Sequence, residues 1–163
     1  MPQRSSSIPK KVYKFVHRDD VWIETNITGR TFETEFFKVE PSGKMTILGS
    51  NKSGYAWDGC TPKKEWLDMI IGTPDGRLDY ETDKPITYYA SMVHDVIYQY
   101  KEEIDISKKE ADVLFKLILK SANFYWTGAY YFAVTNFGGK GVKWFREESN
   151  EDIQILKMSW KDL

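Results

Sequence analysis

The chain has 163 residues, 23 lysines and arginines against 24 aspartates and glutamates, and a formal net charge of -1. That length supports one domain with a sizeable core, and the balanced charge supplies no global field toward nucleic acid or an anionic membrane. A single cysteine, Cys60, excludes an intrachain disulfide framework and fits a reducing compartment.

Residues 1–9 read as a loose arm with no apolar run of the secretory kind, which points to a soluble intracellular protein. Residues 10–60 are β-rich. Val12 to Val16 is β-prone, Val21 to Ile27 alternates apolar and polar residues, and Thr31 to Val39 alternates again as one strand. Pro41 to Gly43 reads as a turn before a short strand, Lys44 to Leu48, and Tyr55 to Trp57 forms another. Residues 61–138 are helical. Thr61 and Pro62 suit a short helix start, and the 72–76 stretch is a tight turn.

Pro85 suits the first turn of a helix reaching about Tyr100. On a 100° wheel Ala90, Ser91, His94, Ile97 and Tyr98 share a face, with Asp95 at its edge. Ser107 and Glu110 form a capping box that starts a second helix. Its apolar arc runs through Ala111, Leu114, Phe115, Ile118, Leu119 and Ala122, with Asp112 on the margin. A third helix spans about Trp126 to Asn136 and stops at Gly138. Residues 139–163 are a tail with a strand near Ile153 to Trp160. The longest apolar-leaning stretch, Phe124 to Phe137, is too short and too polar for a membrane span. Strands followed by helices give an α+β class: an antiparallel meander of four or five strands packed on about three helices, with a C-terminal strand.

Four signatures stand in order: GYAWDGCTP at 54–62, VHDVIY at 93–98, SKKEADVLF at 107–115 and YFAVTNFG at 131–138. Together they resemble a phage and prophage family catalogued as domain of unknown function 1353. The resemblance covers roughly residues 10 to 138. It implies a phage or prophage origin with a host cytoplasm or virion location, an α+β domain, and no established reaction. Cys60 and Thr61 stand where that family carries small Ala and Ser.

His94, Asp95, Tyr98 and Asp112 also resemble the core of secretory and viral phospholipases. By that resemblance His94 would be the base that activates water, Asp95 a calcium ligand and Asp112 the carboxylate that orients the imidazole. A histidine works best as a base when its second nitrogen is held by a fixed carboxylate. Calcium takes oxygen ligands, and the loop with Trp57, Asp58, Gly59 and Cys60 would supply more of them. The glycine-rich calcium loop of those enzymes is not present as such.

The same residues also read as a buried polar cluster that fixes packing with no chemistry, with Tyr98 anchoring the helix to the sheet. His17, beside three charged residues, reads as solvated, and Lys108 and Lys109 read as an exposed helix start. Two functions follow. One is a phage-type protein that binds a virion or host protein, with no cofactor. The other is a small hydrolase using His94, Tyr98 and Asp112, with calcium at Asp95 and Asp58.

Overall fold

The computed structural model describes residues 15–57, 78–79, 81–137 and 143–161. The expectations for the N-terminal arm, the short helix at Thr61, the 72–76 turn and the Gly138 stop lie outside those residues. The described elements are strands β1 (Phe15–His17), β2 (Asp20–Thr25), β3 (Phe32–Glu33), β4 (Phe37–Val39), β5 (Lys44–Leu48) and β6 (Tyr55–Trp57). Helices α1 (Tyr88–Gln99), α2 (Lys108–Ser121) and α3 (Thr127–Phe137) follow, then strand β7 (Ile155–Met158). The class is α+β, as the segregated pattern of strands and helices implies.

Two antiparallel sheets form. The larger has the order β3-β4-β5-β2-β7, and β1 pairs with β6 in a two-stranded sheet. Strands β3 to β5 are the meander, with β2 on the far side of β5. Register explains why the alternating pattern works. Phe37 faces Ile47, which faces Val21, while Val39 faces Met45, which faces Ile23. All six are buried, so each cross-strand row adds to one apolar face. Burying an aliphatic side chain of this size contributes about 1.5–3 kcal/mol. Trp22, Lys44 and Lys157 share the other face, with both ammonium groups over the indole.

The expected strand across Thr31 to Val39 is instead the hairpin β3–β4, closed by the Thr34 N–H donating to the Phe37 carbonyl at 2.8 Å. Gly43 serves the next turn. Its φ is +93°, and a Cβ there would lie 2.2 Å from the Thr25 carbonyl oxygen.

Helix α1 departs from the one-faced wheel. Besides Ala90, Ser91, His94 and Ile97, it buries Tyr88, Met92, Val93 and Val96. Its residues join those of the sheets and of α2 and α3 in one apolar cluster. A helix buried nearly all round is a central one, with strand side chains reaching it on one side and α2 packed on another. It begins at Tyr88 rather than Pro85. The α2 start is as read: the Ser107 side chain accepts from the Glu110 N–H, and the Glu110 carboxylate accepts from the Ser107 N–H.

Candidate functional site

Helices α1 and α2 bring three of the expected residues together. His94 Nε2 lies 2.8 Å from Asp112 Oδ1, and Tyr98 Oη donates to the same oxygen at 2.6 Å. Four residues separate His94 from Tyr98, so both project from one side of α1 onto one point of α2. The other oxygen, Oδ2, accepts from Lys108 Nζ at 2.6 Å, an i,i+4 pair. Lys108 also donates to the carbonyls of Val134 at 3.3 Å and Thr135 at 3.1 Å on α3. Asp112 and Lys108 together therefore tie all three helices.

The His94–Asp112 contact is closed to solvent, while Lys108 stays partly exposed. His94 and Asp112 are each 2% exposed, so Asp112 is not the marginal residue that the wheel suggests. The imidazole packs against the Tyr98 ring at 4.1 Å between centroids and against Phe115 at 4.9 Å. Burial, the Asp112 charge and the hydrogen bond to it all push the Tyr98 hydroxyl well above the ordinary phenol range. Tyr98 thus stays a neutral donor. It anchors α1 to α2, not to the sheet.

The remaining expected residues lie elsewhere. Asp95 Oδ2 accepts from Tyr55 Oη at 2.7 Å, linking α1 to β6. Trp57, expected on a binding loop, is a strand residue with 0% exposure. Its indole N–H donates to Ser91 Oγ at 3.0 Å, and its ring meets Tyr88 edge-on at 4.8 Å. That packing makes it core. Asp58, Gly59 and Cys60 lie outside the described residues. Among the described residues no group of three or more His, Cys, Asp or Glu side chains is placed to hold a metal ion.

His17 also departs from its expected solvated place. It is 9% exposed, and its Nδ1 sits 2.9 Å from Tyr88 Oη. Its Nε2 is buried with no hydrogen-bond partner. Burial lowers its pKa, with Lys84 acting in the same direction and Asp19 against it. Burial likewise pushes the Tyr88 hydroxyl up to about 12.

Beside the Asp112 network opens a groove of about 490 Å³, walled by the start of α2, by α3 and by the 143–149 segment. Lys108, Asp112, Tyr131, Thr135, Trp144 and Arg146 contribute to its lining, with Lys109 at the rim; His94 and Tyr98 do not. The 143–149 segment is strapped in place. Phe145 N–H donates to the Lys101 carbonyl at 2.9 Å, Arg146 Nη1 to Asp105 Oδ1 at 2.7 Å, and Ser149 Oγ meets Ser107 Oγ at 2.6 Å. Sequence reading missed this wall, because nothing local in a charged tail announces that it returns to the start of α2. The Lys108 role was signalled by its spacing to Asp112. Compared with protein-family models, curated proteins and solved structures, the chain matches none.

Proposed function

We propose that this is a phage-type protein that works by binding a virion or host protein, with the groove beside α2 as its contact site. The observation that carries this reading is that the histidine and the phenol of the cluster stand away from the opening, which the cluster meets only through Lys108 and Asp112. Both Asp112 oxygens are occupied by three donors, His94 is 2% exposed, and neither His94 nor Tyr98 lines the groove. Such a cluster shapes the wall of a site without taking part in chemistry there. The volume suits a short segment of a partner. The phage attribution rests on the four sequence signatures.

Hydrolysis is the competing reading, and one observation favours it. The His94–Asp112 pair at 2.8 Å, with Tyr98 on the same oxygen, is the arrangement that the phospholipase resemblance implies. Calcium at Asp95 and Asp58 would accompany it, and Asp95 already accepts from Tyr55.

One experiment separates the two. Tagged wild-type protein and Lys109→Trp, which adds bulk at an exposed rim position, are used to capture partners from phage-infected host cells. In parallel, the wild type and His94→Gln are assayed on mixed phospholipid micelles with calcium. Binding predicts a partner captured by the wild type and lost in Lys109→Trp, with no His94-dependent hydrolysis. Calcium-dependent hydrolysis that vanishes in folded His94→Gln would overturn it.

A further inference from the structure

Charge on the α2–α3 pair is lopsided. From Lys108 to Asn136 the carboxylates are Glu110 and Asp112 alone. Both are buried, Glu110 on Arg30 Nη1 at 2.6 Å and Asp112 in the network described above. The outward arc of α2 runs through Lys109, Val113, Lys116, Leu117 and Lys120, so every charge on it is positive. Glu147 stands on the opposite wall of the groove, at the Lys109 end of that arc. The whole chain carries -1, and this face concentrates its cations away from carboxylates.

Apolar surface collects beside the lysines. No residue from Ser121 to Gly139 is charged. Tyr125, Trp126 and Phe132 are three of the seven large apolar side chains exposed among the described residues, so the exposure is concentrated here. Tyr125 and Trp126 sit at the turn that joins the helices, with Tyr125 87% exposed. Phe132 projects from the side of α3 opposite Tyr130, Ala133 and Val134, which are buried. Lys116 Nζ stands over the Tyr131 ring at 4.8 Å and joins the lysine arc to the aromatic one. Exposed apolar surface gathered in this way marks a contact face.

We propose that the α2–α3 face lies on an anionic lipid bilayer, with Tyr125, Trp126 and Phe132 at the boundary between headgroups and acyl chains. Lys109, Lys116 and Lys120 then meet the lipid phosphates. Tyr and Trp rings favour that boundary, and the long lysine stems let each ammonium reach the headgroups. The charge of the face suits an anionic surface, whereas a second copy of the chain would set these lysines against their own kind. The Tyr125 and Trp126 rings stand at 89°, so they form no parallel shelf for the stacked bases of a nucleic acid. A ring projecting as far as Tyr125 needs a matching pocket in a rigid protein, but a fluid interface accommodates it. No helix among the described residues is long and apolar enough to cross a membrane, and the proposed contact is with one leaflet. It is independent of the groove.

The test floats the protein with vesicles of phosphatidylcholine alone and of phosphatidylcholine mixed with phosphatidylglycerol. Saturable binding to the anionic vesicles is expected, with none to the neutral ones. Lys120→Glu should weaken it about ten-fold, and Tyr125→Ser combined with Trp126→Ser should abolish it. Lys38→Glu makes the same charge change on the outer face of the large sheet and should bind like wild type. Lipids brominated near the headgroup should quench wild-type fluorescence more than that of Trp126→Phe. The substituted side chains of the face are exposed, and a melting curve checks that each variant folds. Equal binding to neutral vesicles, no binding to either, or equal quenching in Trp126→Phe would each overturn the proposal. So would a dimer that Tyr125→Ser dissociates, or an oligothymidine that displaces the protein from the anionic vesicles. A host protein captured in place of vesicles, and lost with Tyr125→Ser and Trp126→Ser, would assign the face to that protein instead.

Discussion

The two histidines of the chain are both buried, and they are buried differently. His94 sits in a network where one carboxylate receives an imidazole, a phenol and an ammonium. His17 sits at the β1–α1 seam with Nδ1 on Tyr88 and Nε2 on nothing. A completed buried network locks its elements together, whereas a half-paired ring leaves its seam sensitive to any added proton. The His94 side is therefore where the fold is fixed, and the His17 side is where conditions can loosen it.

The largest effect should come from Asp112→Ala. It strands His94, Tyr98 and Lys108 with no other carboxylate partner among the described residues, at a cost of about 3–5 kcal/mol. Urea denaturation would register this as a drop in midpoint with little change in slope. A loss under about 1 kcal/mol would mean that the network is not what holds the helices. Tyr98→Phe removes one donor and leaves His94 and Lys108 on the carboxylate. Its expected cost is about 1 kcal/mol by the same measurement.

The His17 side should answer to pH. Burial places the folded-state pKa of His17 below the unfolded value, so the unfolded chain takes up this proton first. Its contribution is fully present above the unfolded pKa of about 6.5 and is lost as pH falls from there through the folded value. His17→Phe should remove that part of the slope between about pH 7 and pH 5. The readout is the difference between wild-type and variant stability at each pH. Identical slopes would erase the contrast between the two histidines. Smallest of all is Lys109→Ala, expected within about 0.5 kcal/mol of wild type, since it is exposed and has no ion pair among the described residues. A larger loss would mean that Lys109 belongs to the scaffold.

What could be read ahead of the structure was whatever is encoded locally. The capping box at Ser107 and Glu110 needs only residues three apart. Alternation through β2 and β5 reports a single buried face. The missed features depend on partners distant in sequence. Nothing around residues 34–36 carries the Gly or Asn that usually marks a tight hairpin, so β3 and β4 read as one strand. Trp57 reads as the end of a strand leading into the Asp58–Gly59 loop, where the motif gives it a binding role. Its burial follows from Ser91 and Tyr88, more than 30 positions later. His17 looked solvated among charged neighbours until Tyr88 supplied a partner. Three helix residues of the expected site did come together, because helical spacing fixes their faces. The groove could not be foreseen, since its second wall arrives from residues 143–149.

Strand β2 sits between β5 and β7, and Ile23 pairs with Met158. While the polypeptide emerges from the ribosome, β5 can zip onto β2 within seconds of its appearance. The opposite edge of β2, with its bare N–H and C=O groups, must wait for nearly the whole remaining chain to be translated. An open edge of that kind is a template for pairing with another nascent chain. Slow translation between β6 and β7 should therefore favour aggregates in which a foreign strand occupies the place of β7.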